Sequence, residues 1–264
     1  MQKILLKFTA FAIVILVSAC SGVSEDDETK DWAATKLYSE AMEELNGGRY
    51  ERAVQLFEKL ESRYPFGPYA QQAQMEIAYA YYRQHDQPQA LAEVDRFIKT
   101  YPNHPNADYM YYLRGLIDFN DKVSYFDFIS RQDPAERDPK AARDAFDSFK
   151  QLVERYPDSI YTSDARGRLK YLVGALSKYE VAVARYYYRR EAYVAAVNRA
   201  QIAVKEYPGT PAAEEALYIM MRSYNALKLT DLRDDVERVL KTNYPDSLFF
   251  KGGQTRDDPW WKIW

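Results

Sequence analysis

The sequence predicts an all-α solenoid of five repeated helix pairs, and three observations predict it. The dipeptide Tyr-Pro recurs at Tyr64-Pro65, Tyr101-Pro102, Tyr156-Pro157, Tyr207-Pro208 and Tyr244-Pro245, spaced by 37, 55, 51 and 37 residues. Each one closes an amphipathic segment, at 50–63, 88–100, 139–155, 191–206 and 230–243. Proline cannot continue a helix and drives the residue before it out of the helical region, so these are five helices ended by equivalent stops. A further helical run precedes each of them, as in 32–45, 69–84 and 211–227.

Composition fits that class. Of 264 residues 47% are apolar and 28% charged, with 10 Gly and 12 Pro, a globular balance without disordered or collagenous bias. One Cys and 2 His exclude a disulfide framework and a Cys/His zinc site and leave little for a histidine-centred triad. A formal charge of −3 offers nothing to nucleic acid. Tyrosine is the outlier, with 24 copies.

The elements follow in chain order. Residues 1–19 carry Lys3 and Lys7, no acid, and an apolar run over 8–17 broken only by Thr9, the form of a secretory signal and too short to span a bilayer comfortably. Val17-Ser18-Ala19-Cys20 resembles a bacterial lipobox, with the sole cysteine where lipid would be attached. That resemblance, with Ser21 rather than Asp after the cysteine, implies a lipid-anchored protein on the periplasmic face of the outer membrane. Residues 20–30, with Glu25, Asp26, Asp27 and Glu28, read as an acidic, solvated tether.

The solenoid is assigned to 31–249, with pairs at about 31–65, 69–102, 106–157, 160–208 and 211–245. A period near 34 with a terminal proline resembles the tetratricopeptide repeat (TPR). Ala41, Gly48, Tyr50, Ala53, Phe57 and Pro65 fall at motif positions in the first unit, and Ile77, Ala78, Tyr81, Ala90 and Pro102 in the second. Gly115, Ala145, Phe149 and Pro157 do so in the third, and Tyr187, Tyr193, Ala196 and Pro208 in the fourth. The fifth is degenerate, with Leu232, Val236 and Val239 as its apolar positions. The long spacings mark additions: an aromatic-rich insertion over 118–138, and a stretch without proline over 162–190 that makes one long central helix. Past the last stop, 250–264 ends Trp260-Trp261-Lys262-Ile263-Trp264, suited to capping the solenoid, to a partner or to a membrane interface.

No catalytic constellation emerges. His85 and His104 lie in polar loops at helix ends, and Glu43-Glu44, Glu214-Glu215 and Asp234-Asp235 are adjacent on helices and so point apart. No metal site and no cofactor are expected, and the chain does not read as an enzyme. In the TPR register the first helix of each pair lines the groove, which places Tyr38, Met42, Met75, Tyr79, Tyr82, Arg83, Tyr109, Tyr112 and Phe119 there. Tyrosine and methionine offer large contact area at low ordering cost, and Arg83 offers a bidentate donor to a carboxylate. That suits an extended, aromatic-bearing peptide with a free C-terminus.

Arg63-Tyr64-Pro65-Phe66-Gly67-Pro68-Tyr69, Ala78-Tyr79-Ala80-Tyr81-Tyr82, His104-Pro105-Asn106, Arg137-Asp138-Pro139, Lys178-Tyr179-Glu180 and Val197-Asn198-Arg199, with the lipobox and five repeats, resemble the BamD (ComL-type) family of TPR lipoproteins. The resemblance implies a non-catalytic scaffold of the outer-membrane β-barrel assembly machine. Its expected partners are the barrel-forming subunit, accessory lipoproteins and unfolded outer-membrane proteins. It implies that the N-terminal groove takes client C-terminal signals. It also implies that the barrel-forming subunit docks near Tyr179, Glu180, Arg190, Asn198 and Arg199. A TPR lipoprotein regulating periplasmic cell-wall enzymes is the alternative.

Overall fold

The computed structural model describes residues 27–119 and 139–251. The lipid-attachment position Cys20, the signal, most of the insertion and the Trp-rich tail lie outside the described residues. Ten α-helices and no strand occur among those described: α1 (Ala34–Asn46), α2 (Tyr50–Arg63), α3 (Pro68–Gln84), α4 (Gln87–Thr100), α5 (Ala107–Asp118), α6 (Lys140–Arg155), α7 (Thr162–Arg189), α8 (Tyr193–Glu206), α9 (Pro211–Ala226) and α10 (Thr230–Asn243). This is the expected all-α, TPR-like succession of helix pairs, with a long helix, α7, of 28 residues. The chain divides into two compact units, one ending at Ala73 and one beginning at Gln74, the division falling within α3.

The repeat is written in the backbone. Tyr64, Tyr101, Tyr156, Tyr207 and Tyr244 share one conformation, with φ between −134° and −128° and ψ between 54° and 65°. The N–H groups of Tyr64, Tyr101, Tyr156 and Tyr244 each donate a last helical bond to the carbonyl four residues back, at 2.8–2.9 Å. The proline that follows has no N–H to extend the ladder. The turn within a pair is equally regular: Gly48, His85, Glu191 and Lys228 all take a left-handed φ of 59–77°. The N–H of each donates three residues back, and that of the next residue donates five back. Only Gly48 adopts that conformation without a steric cost.

In the first unit, α1 buries Leu37, Ala41 and Leu45, one face at i, i+4 and i+8, and α2 buries Ala53, Val54, Leu56, Phe57 and Leu60. The approach to α1 is fastened rather than free. Asp27 accepts a 2.7 Å bond from Lys59 Nζ and pairs with Arg63, while Thr29 is buried. The Lys59 and Thr29 hydrogen bonds outweigh desolvation and hold the Asp27 carboxyl well below its ordinary pKa. The expected tether 20–30 is thus corrected at its C-terminal end, because basic side chains of α2 capture Asp27.

In the second unit the core runs as a relay. Met75 and Ala78 of α3 pack with Ala90, Val94 and Phe97 of α4 and Met110, Leu113 and Ile117 of α5. Tyr111 of α5 joins Ala145, Phe149 and Leu152 of α6 and Ala165 and Leu172 of α7. Val181 and Ala184, further along α7, join α8 and α9 through Ala196, Ala200, Ala203, Ala216, Ile219 and Met220. Gly115 lets α5 meet α6: a Cβ there would lie 2.5 Å from the fully buried Phe149 ring. The fifth pair departs from its expected register. Leu240 is the one buried residue of α10, while Leu232 and Val239 are largely exposed. Those two stand on the flank of the inward face, where a following helix would pack.

Candidate functional site

The first helices of the pairs carry the expected groove residues. In the first unit Tyr38 and Met42 are half-buried on α1, and the Tyr38 ring lies 5.8 Å from Phe57 and 5.5 Å from Tyr69. In the second unit the Tyr79 and Tyr82 rings are 6.4 Å apart on α3. Arg83 is exposed, donating to the Tyr79 hydroxyl at 2.6 Å with its guanidinium 5.6 Å from that ring. Met75 corrects the expectation: it is buried in the core, where an unbranched side chain fills the gap between α3, α4 and α5. Tyr109 is half-buried against the same core, and burial, aided by the Glu76 charge, raises its phenol well above the usual range, so it stays a neutral donor.

Tyr112 and Phe119 open onto residues of α7 and its N-cap that sequence reasoning missed. Tyr112 stacks on Tyr161 with centroids 4.8 Å apart and planes at 17°, and Tyr109 meets the same ring at 5.7 Å. The Tyr112 hydroxyl donates to Asp164 at 2.8 Å, and Arg168 Nε donates to the same carboxylate at 2.6 Å. Burial pushes the Asp164 pKa up, but the Arg168 and Tyr112 hydrogen bonds win and lower it. Phe119 lies 5.8 Å from Tyr171 and beneath the Arg168 guanidinium at 4.9 Å. Tyr161, Asp164, Arg168 and Tyr171 follow at helical steps of 3, 4 and 3, so a face count begun at the N-cap Tyr161 finds them.

Of the expected docking residues, Arg190 and Asn198 are exposed and Tyr179 is half-buried. The Arg190 guanidinium sits 5.3 Å from the Tyr186 ring. Glu180 is a correction: it is 0% exposed and accepts from Arg143 Nη2 at 2.7 Å and Arg199 Nη1 at 3.1 Å. A carboxylate on the inward face of α7 needs countercharge, and Arg143 of α6 and Arg199 of α8 supply it. Both Glu180 and Arg199 therefore act in the fold. Nearby, Arg222 lies between the Tyr188 and Tyr218 rings at 6.0 and 5.8 Å, and Tyr218 stacks on Phe249 at 4.7 Å. His104, expected in solvent, is half-buried against Phe97 at 5.2 Å, and burial lowers its pKa.

Among the described residues no group of three or more His, Cys, Asp or Glu is placed to hold a metal ion, and no helix is long and apolar enough to cross a membrane. The chain matches, over residues 30–239, the family YfiO, described as outer membrane lipoprotein. It is 46% identical, over the whole of both chains, to the outer membrane protein assembly factor BamD of Neisseria meningitidis serogroup B.

The chain belongs to the BamD family. Members similar to it include the assembly factor of Vibrio cholerae, 38% identical over 86% of this chain and 94% of that one. That of Haemophilus influenzae is 32% identical over 88% of each. The BamD name is that of an assembly factor rather than of a catalyst.

Proposed function

We propose that this protein is a non-catalytic scaffold in outer-membrane protein assembly, anchored by lipid at Cys20 to the periplasmic face of the outer membrane. The observation that carries the reading is full-length similarity, at 46% identity, to a protein named for that role. In this reading Tyr79, Tyr82, Arg83, Tyr109, Tyr112 and Phe119, extended by Tyr161, Arg168 and Tyr171, receive the C-terminal segment of an unfolded barrel protein. Tyrosine rings give its aromatic side chains flat, half-buried contact area, and Arg83 gives its carboxylate a charge-assisted donor. Tyr38 and Met42 of the first unit offer contact area of the same kind. The barrel-forming subunit docks on the surface bearing Tyr179, Arg190 and Asn198, where Arg190 offers an exposed cation to acidic partner residues. Accessory lipoproteins complete the assembly.

The test is recovery of partners from gently solubilised membranes by the full-length protein and its Arg190→Glu variant. A β-barrel membrane protein retained by the parent and lost by the variant is the expected result. Recovery of cell-wall enzymes alone overturns the reading. Arg199→Glu is unsuitable for this purpose, because it would place a second acid against the buried Glu180.

A further inference from the structure

Among the described residues, the last helix pair leaves an apolar flank exposed. Helix α6 lies between α5 and α7, and α8 between α7 and α9, whereas the principal helical neighbour of α10 is α9 alone. The flank that a following helix would cover carries Leu229, Leu232 and Val239, 44%, 45% and 41% exposed, at spacings of 3 and 7. Leu248 is 68% exposed just past the final Tyr-Pro stop. Terminal repeats of solenoids ordinarily present a polar outer face, and here Leu232 and Val239 interrupt one that is otherwise polar, among Asp231, Asp234, Asp235 and Arg238.

We propose that residues 252–264 of the same chain occupy this flank, with Trp260, Trp261, Ile263 and Trp264 against Leu232 and Val239. The chain is aimed for it. A 3₁₀ turn, Leu248–Lys251, follows α10, and the Phe250 ring lies 5.6 Å from Lys241 Nζ of α10 itself. The chain thus leaves its last described residue beside the C-terminal half of the helix. Eight residues, 252–259, separate that point from Trp260. Extended, they reach roughly 27 Å, more than the roughly 21 Å length of a 14-residue helix. Three tryptophans in five residues supply the apolar area that the stripe lacks, and each is costly to leave in water. Residues 252–264 would thus stand where a sixth pair would begin.

Two measurements on the full-length chain test this. The first is a stability cycle combining Leu232→Ser and Val239→Ser with Trp260→Ser, Trp261→Ser and Trp264→Ser. The paired serine changes on α10 should lower the folded-to-unfolded ratio about tenfold when the tryptophans are present, and little when they are replaced. An equal effect in both backgrounds overturns the proposal. The second places the photo-crosslinker benzoylphenylalanine at Val239 in the full-length protein in isolated membranes. The expected product joins position 239 to the terminal peptide of the same chain, while the crosslinker at exposed Arg238 gives none. Crosslinks from 239 to a second copy, to lipid or to another protein, or none to the terminal peptide, overturn the proposal.

Discussion

Replacing both Arg143 and Arg199 with methionine is expected to destabilise the second unit more than replacing Glu180 between them. The Glu180 side chain is 1% exposed, while those of Arg143 and Arg199 are 48% and 38% exposed. Removing both arginines strands a carboxylate among α6, α7 and α8, a loss of about 3–5 kcal/mol. Glu180→Gln leaves two guanidinium groups that turn to water, and its cost is about 1.5–3 kcal/mol, the net worth of a hydrogen bond to a charged group. Adding Glu180→Met to the double arginine variant removes the stranded charge and should recover most of the loss. Urea unfolding of the full-length chain, followed by helical circular dichroism, measures all four proteins. The reasoning fails if Glu180→Gln costs as much as the double arginine change, or if the triple variant is no more stable than the double. The same experiment separates folding from docking, since partner loss in an Arg199 variant reports the fold first.

Gly115→Ala should destabilise by about 1–2 kcal/mol, overpacking against the rigid Phe149 ring outweighing about 1 kcal/mol of helix propensity, whereas in a Phe149→Leu background the same change should stabilise; thermal melts of the four combinations decide it. Gly167→Ala and Gly174→Ala meet open space, so each should raise stability by about 1 kcal/mol in the same assay. Glycine in place of His85, Glu191 or Lys228 relieves a left-handed residue and should add about 0.5–1 kcal/mol each, and destabilisation at all three would contradict the turn assignment. Asp118 is buried with Arg114 Nη1 3.9 Å away, and burial pushes its carboxyl up to about 6 from 3.8. A carboxyl raised on folding costs nothing below its unfolded pKa, so its penalty grows as pH rises from about 4 to 6 and is complete above that. Asp118→Asn should therefore stabilise by about 1–2 kcal/mol at pH 7.5 and by little at pH 4. An equal gain at both pH values would refute that assignment.

Helix ends were the most legible feature, because Tyr-Pro acts through local sterics that tertiary context cannot override. Each Tyr-Pro sits at a helix end, and the proline-free stretch 162–190 is one helix to within a residue. The site was legible only in part. Periodicity finds the stripe Met75, Tyr79, Tyr82 but not how deep each member sits: Met75 is interior while Tyr79 and Tyr82 are half-open. Glu180 looked like surface because a charged residue on a helix usually is, and its two arginine partners are 37 residues before it and 19 after. Tyr161 and Arg168 escape a groove count confined to the first three helix pairs' leading helices, because they belong to the N-cap and first turns of the long helix. The register of α10 fails where, among the described residues, no following helix packs on Leu232 and Val239.

Repeat arrays ordinarily melt piecemeal, each unit answering only to its neighbours. Helix α7 changes that. Ala165 and Leu172 belong to the core shared with α5 and α6, while Val181 and Ala184 belong to the core shared with α8 and α9. Neither core can come apart without taking half of the same helix from the other. The stretch from α5 to α10 is therefore expected to unfold as a single cooperative block, and slow amide exchange should be uniform along α7 rather than stepped at its middle.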